Sequence, residues 1–150
     1  MLPAKDYFTL LNLPHTFFID KQTLKHNYYT QAKRYHPSMT GGNDNMFVGL
    51  KKAYDTLNND LKRALYMHNS VHPAGARSAL DADAADLSHV YELSERLSAN
   101  DKNAQAELAE RIDECKRFYY DPVYLGRWRY YERMRERMKD KEIDMRMLLL

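Results

Sequence analysis

The stretch AKRYHPSMTGGND, from Ala32 to Asp44, gathers the residues best able to do something specific: Lys33 and Arg34, a histidine fixed against a proline, and the Ser38 hydroxyl two residues beyond that histidine. Pro37 locks its own backbone and biases His36 away from the helical region, so imidazole, hydroxyl and cations stand at a defined corner. Such a corner suits recognition of another protein, because cations steer an acidic surface and a fixed turn sets how it docks. Covalent chemistry lacks its parts. The six histidines (His15, His26, His36, His68, His72, His89) have neither HExxH nor tight HxH spacing, and Cys115 stands alone. One thiol makes no internal disulfide and fits a reducing compartment, while zinc and iron–sulfur sites take several thiolates or imidazoles. With no nucleophile–base pair and no phosphate loop, the chain reads as a protein without metal or cofactor that is not an enzyme.

The elements that must hold the corner are helical. In DYFTLLNLP, Tyr7, Leu10 and Leu11 fall at helical spacing and Pro14 closes a short element. Asp20 then caps a helix whose Leu24, Tyr28, Ala32 and Tyr35 form one apolar stripe, with Lys25, Lys33 and Arg34 off it as a compact positive face. That helix ends before Pro37. Gly41 and Gly42 permit a turn, and Asn43 or Asp44 caps the next helix. Phe47, Leu50, Tyr54, Leu57, Leu61 and Ala64 continue at steps of three and four, the seam of an antiparallel hairpin, with a break near Asn58-Asn59 into a last short helix carrying Arg63 and Tyr66.

The stretch NSVHPAGARSALDADAAD is small, polar and turn-prone, and reads as a linker, placed at 73–82 between one domain at 1–72 and a second at 83–150. In the second, Leu87, Tyr91 (or Val90), Ser94 and Leu97 predict a short helix, and Leu108, Ile112, Cys115 and Tyr119 another. After an interruption at YYDPVYLG, Trp128, Tyr131, Met134 and Met138 predict a third that runs toward the C-terminus. Cys115 on its stripe is expected to be buried rather than nucleophilic. The expected fold is all-α: a helical hairpin with two short flanking helices, then a small three-helix bundle.

Charge follows the same division. Residues 1–75 carry 9 Lys/Arg against 5 Asp/Glu, and residues 76–150 carry 14 against 16, which suggests two units facing different partners. No run of about 18 apolar residues exists to span a membrane. The opening MLPAKDYFTLLNLP has neither the apolar block of a secretory signal nor the Arg-rich amphipathic pattern of an organelle leader.

DYFTLLNLP, the basic helix ending KRYHP, and AYDTLNNDLKRALY together resemble a J domain, the module through which co-chaperones engage a DnaK-type heat-shock protein 70. The finer resemblance is to the HscB family of iron–sulfur cluster co-chaperones: Arg63-Ala64-Leu65-Tyr66 matches its RAxY variant, ELSERL its first C-terminal helix and RYYERM its last. The resemblance implies that Lys25, Lys33, Arg34, His36, Pro37 and Ser38 meet an HscA- or DnaK-type ATPase. It implies that Leu87, Ser88, Tyr91, Glu92, Glu95 and Tyr130 meet an IscU-type scaffold protein, with no nucleic acid and no membrane among the partners. It places the protein in a bacterial cytoplasm, or in the mitochondrial matrix for a processed eukaryotic chain.

One position departs from the family. The family corner is His-Pro-Asp, and its aspartate is the residue most directly tied to ATPase stimulation; here Ser38 supplies a hydroxyl and no charge. A docking module with little stimulation is therefore the related alternative. A different class of reading takes the Arg/aromatic helix YLGRWRYYERMRERMK as a nucleic-acid surface. Against it, Glu132 and Glu136 neutralise neighbouring arginines at helical spacing, and Trp128, Tyr131 and Met134 fit a core stripe.

Overall fold

The computed structural model describes residues 6–38, 43–71 and 84–149, with side chains from Ser88 onward in the last stretch. Gly41, Gly42, the 73–82 linker and the Leu87 side chain lie outside the described residues. Seven helices are present among them: α1 (Tyr7–Leu10), α2 (Lys21–Tyr35), α3 (Asp44–Asn58), α4 (Asp60–Val71), α5 (Ala84–Ser98), α6 (Lys102–Arg117) and α7 (Pro122–Leu148). Two compact units form, Met1–Met67 and His68–Leu150.

Short polar side chains start the helices. Asp20 accepts from the Gln22 amide at 3.1 Å and the Thr23 hydroxyl at 2.8 Å. Asn43, rather than Asp44, caps α3 by accepting from the Asn45 and Met46 amides. Asp101 and Asp121 do the same for α6 and α7. Two helices end through asparagines with positive φ, Asn12 at 53° and Asn100 at 60°. At each, the asparagine amide and the one after it turn back to carbonyls of the last turn: Asn12 to Thr9 and Leu13 to Phe8, then Asn100 to Leu97 and Asp101 to Arg96. Asn12, not Pro14, thus terminates α1, because asparagine tolerates the left-handed conformation that this reversal needs.

In the first unit Phe8, Leu11, Leu24, Leu50, Ala53 and Leu57 form a buried core where α1 and α2 pack on α3. Tyr28 of α2 stacks on Tyr54 of α3, ring centroids 4.4 Å apart. The α3–α4 break falls at Asn59, whose side chain accepts from the Lys62 amide, and the expected last helix, α4, runs for 12 residues. Arg63 is the unexpected core residue, 4% exposed. Its Nε donates to the Phe17 carbonyl at 2.7 Å, Nη1 to the Leu57 carbonyl at 2.6 Å and Nη2 to the Asp60 carboxylate at 3.0 Å, while the guanidinium lies over the Phe17 ring. A planar fork with several donors can tie these separate segments where an ammonium could not. Tyr66 does similar work at α1: its hydroxyl donates to Asp6 at 2.7 Å, accepts from the Tyr7 amide at 2.9 Å, and its ring stacks on Tyr7. Burial, then the Asp6 bond, pushes the Tyr66 phenol up to about 12.

In the second unit α5, α6 and α7 pack pairwise around Leu93, Leu97, Ala104, Leu108, Ile112, Cys115, Leu125, Trp128, Tyr131 and Met134. On α5 Leu97 is buried as expected and Val90, the alternative to Tyr91, is half-buried; Leu93 joins them in the core, whereas Tyr91 is 67% exposed. Tyr119 lies past the end of α6, half-buried. The expected interruption at YYDPVYLG is shorter than its Pro and Gly suggest, because Pro122 occupies the first turn of α7, where its missing amide hydrogen costs nothing. Cys115 is buried, and burial raises its thiol to about 12.

Candidate functional site

The corner is built by the end of α2. His36 leaves the helix with extended backbone (φ −61°, ψ 138°), as a residue before proline should. The Ser38 amide donates to His36 Nδ1 at 3.1 Å, and the Ser38 hydroxyl lies 2.6 Å from the same nitrogen. With the amide donating to it, Nδ1 is the bare nitrogen and the ring hydrogen belongs on Nε2. The imidazole also meets the Phe47 ring edge-on, with centroids 5.2 Å apart, and the Asn43 amide donates to the Tyr35 carbonyl. These contacts tie the end of α2 to the start of α3 while His36, Pro37 and Ser38 stay exposed.

Beside the corner runs an apolar groove of about 510 Å³ lined by Tyr28, Tyr29, Ala32, Lys33, His36, Ser38 and Phe47. Of the three expected cations only Lys33 lines it. Lys25 sits over the Tyr29 ring at 6.0 Å and Arg34 over the Tyr35 ring at 5.7 Å. Successive helical residues turn by about 100°, so Arg34 leaves α2 in a different direction from Lys33. Among the described residues no carboxylate pairs with Lys25, Lys33 or Arg34, so their charge is open to a partner.

A second depression, about 660 Å³, lies between α5 and α7. Ser88, Val90, Tyr91 and Ser94 line it from α5, and Tyr130, Arg133, Met134 and Arg137 from α7. Ser88, Tyr91 and Tyr130, distant in sequence, are brought together here. Glu92 and Glu95 are exposed on α5 but outside the lining. Arg133 and Arg137 are residues that sequence reasoning missed; Arg133 lies over the Tyr130 ring at 5.7 Å. Their only sequence signal is a spacing of four on α7, which solvated arginines share.

The Arg/aromatic helix does not present its largest rings. Trp128 is fully buried, its indole donating to Glu132 at 3.0 Å, and Tyr131 is buried too, so neither is available as a stacking platform. Among the described residues no three His, Cys, Asp or Glu side chains are placed to hold a metal ion, and no helix is long and apolar enough to cross a membrane.

Comparison with known proteins shows the family. The DnaJ domain family matches residues 6–66, which hold the hairpin and its corner. The co-chaperone protein HscB of Proteus mirabilis is 32% identical over 133 residues, covering 79% of this chain and 76% of that protein. This chain belongs to the HscB co-chaperone family. The human iron–sulfur cluster co-chaperone protein HscB is 24% identical across 95% of this chain and 71% of its own length. The crystal structure of human HscB superposes with a TM-score of 0.80 at 22% identity, covering 96% of this chain and 85% of that one, so the all-helical fold is shared.

Proposed function

We propose that this HscB-family chain is a co-chaperone that docks on a heat-shock protein 70-type ATPase through Lys25, Lys33, Arg34, His36, Pro37 and Ser38, and regulates its hydrolysis of ATP. Through the α5–α7 face, with Leu87, Ser88, Tyr91, Glu92, Glu95 and Tyr130, it carries an IscU-type scaffold protein to that ATPase for cluster transfer. It performs no catalysis of its own. It would act in a bacterial cytoplasm or, for a processed eukaryotic chain, in the mitochondrial matrix.

The observation that carries this reading is the exposed His36-Pro37-Ser38 corner, fixed to α3 and set beside an apolar groove lined by Lys33, which has no carboxylate partner among the described residues. Unpaired cations steer an acidic surface toward the corner, and the groove takes apolar contact once docked. Joining two modest binding faces in one chain raises the effective concentration of the scaffold at the ATPase without any new contact. A second reading, docking with little stimulation, is favoured by one observation: Ser38 is neutral, and both its amide and its hydroxyl lie against His36.

Single-turnover ATP hydrolysis by the partner heat-shock protein 70, with scaffold present or absent, tests the proposal. Wild type should accelerate turnover and His36→Gln should not. If neither moves the rate and neither binds the ATPase, the docking assignment fails.

A further inference from the structure

We propose that the α5–α7 groove reads carboxylates: Arg133 and Arg137 pair with acidic side chains on the scaffold segment whose apolar residue seats between Tyr91 and Tyr130. This rests on the reading of that face as the scaffold site, and it names what the site selects.

Every charged residue lining the groove is an arginine. Arg133 and Arg137 sit one helical turn apart on the same side of α7, both exposed. Three other arginines of this unit are committed: Arg96 to Asp101 and Glu107, Arg111 to Glu107 and Glu114, Arg135 to Glu132. Among the described residues no carboxylate pairs with Arg133 or Arg137, although α7 is rich in acids. The rest of the lining is suited to apolar contact. Tyr91, Tyr130, Val90 and Met134 supply the surface, and the small Ser88 and Ser94 leave room for a side chain to enter. A guanidinium accepts a carboxylate through two parallel hydrogen bonds, which gives direction as well as attraction.

The exposed acids of α5 bear on the assignment. Glu92 and Glu95 stand exposed on α5, also without a cation partner among the described residues. Charge is therefore split between the helices, with acids at exposed positions of α5 outside the lining and arginines in the lining from α7. A nucleic-acid backbone, negative throughout, would meet repulsion from the acids of α5. A protein segment with an acid on one side of its apolar anchor and a base on the other fits in one orientation.

The experiment titrates the full chain with the IscU-type scaffold protein at two salt concentrations. Arg133→Gln/Arg137→Gln should bind about tenfold or more weakly, with a shallower salt dependence and an unchanged thermal midpoint. Arg133→Lys/Arg137→Lys should keep the salt dependence and lose part of the affinity. If Tyr91→Ala weakens binding while the double glutamine variant binds like wild type, the arginine proposal is overturned and the scaffold face stands. If Tyr91→Ala, the double variant and wild type all bind alike, or none binds, the scaffold reading itself fails and the proposal with it. Tight binding of a single-stranded oligonucleotide, lost in the double variant and steep in salt, would assign the arginines to phosphate and overturn the proposal equally.

Discussion

The Ser38 hydroxyl lies 2.6 Å from His36 Nδ1, and the Ser38 amide donates to that same nitrogen at 3.1 Å. The corner therefore holds its shape with an uncharged hydroxyl where the family pattern places an aspartate. Shape and charge are separable here. Ser38→Asp should keep the turn, because Pro37 and the backbone amide of residue 38, which donates to His36 Nδ1, are unchanged by the side chain. It should also add the negative charge that a cation on the ATPase can grip. A hydrogen bond to a charged group contributes about 1.5–3 kcal/mol, so stimulation of single-turnover hydrolysis should rise roughly ten- to hundredfold. No gain in Ser38→Asp, alongside normal stimulation by wild type, would mean that the serine corner already couples fully.

Arg63 should be the most costly polar residue to remove from the first unit. Arg63→Met deletes the guanidinium donors that the Phe17 and Leu57 carbonyls accept, in a site only 4% exposed. A buried acceptor stripped of its donor costs about 1–3 kcal/mol, so two should cost about 2–6 kcal/mol. For a unit of this size that lowers the melting temperature by roughly 10 °C or more. Arg63→Lys should recover only part, since one ammonium cannot reach three acceptors arranged around a planar fork. Thermal melts followed by circular dichroism settle it, and a drop of only a degree or two would show that the clasp is dispensable.

The second unit should weaken in acid through a link between α5 and α6. Arg96 donates to Glu107 at 2.6 Å and to Asp101 at 3.2 Å. The bond from Arg96 is the leading cause that holds Glu107 below its ordinary 4.5 and Asp101 below its ordinary 3.8. A carboxylate whose folded pKa is depressed stabilises the fold above its unfolded value, and that contribution is lost as pH falls through the folded value. Stability should therefore be flat near neutrality and decline from about pH 4.5 downward. Trp128 is the single tryptophan and lies in the core of this unit, so its fluorescence reports this unit directly. Arg96→Met should be less stable at pH 7 and show a shallower acid limb; an acid limb as steep as wild type would remove these carboxylates as its source.

How much of this was readable beforehand differs residue by residue. Leu24, Tyr28, Leu50, Tyr54 and Leu57 repeat at three and four with no competing stripe, so the hairpin seam follows from spacing alone. Asp20, Asn43 and the Asn59 break carry direct capping chemistry. The reversals at Asn12 and Asn100 escape notice because an asparagine in sequence does not reveal that it adopts positive φ. The interior place of Arg63 is hidden too, since a charged residue is buried only when distant carbonyls converge on it. On α5, Tyr91 and Val90 both keep helical spacing with Leu97, and only the packing against α6 and α7 turns Val90 and Leu93 inward and leaves Tyr91 exposed. The corner was legible because Pro37 fixes it locally. The α5–α7 groove was less so, because it joins residues some forty positions apart, and Arg133 and Arg137 have no signature outside it.

That packing of α5 yields a sharp contrast between neighbouring residues. Tyr91 is 67% exposed and lines the groove, while Leu93, two positions on, is 1% exposed. Leu93→Ala removes buried methyl groups and leaves a cavity, so it should cost about 2–5 kcal/mol and weaken scaffold binding only as far as the bundle unfolds. Tyr91→Ala removes a ring already in water, so the fold should change by less than about 0.5 kcal/mol. Its effect should fall on recognition, because an exposed aromatic in a groove is the kind of residue on which interface energy concentrates. A loss of about 2 kcal/mol or more in scaffold affinity, roughly thirtyfold, is expected for Tyr91→Ala at full stability. Urea titrations followed at Trp128, paired with calorimetric binding of the scaffold, separate the two effects. If Tyr91→Ala destabilises the bundle as much as Leu93→Ala does, the ring is a packing residue and the groove loses its aromatic anchor.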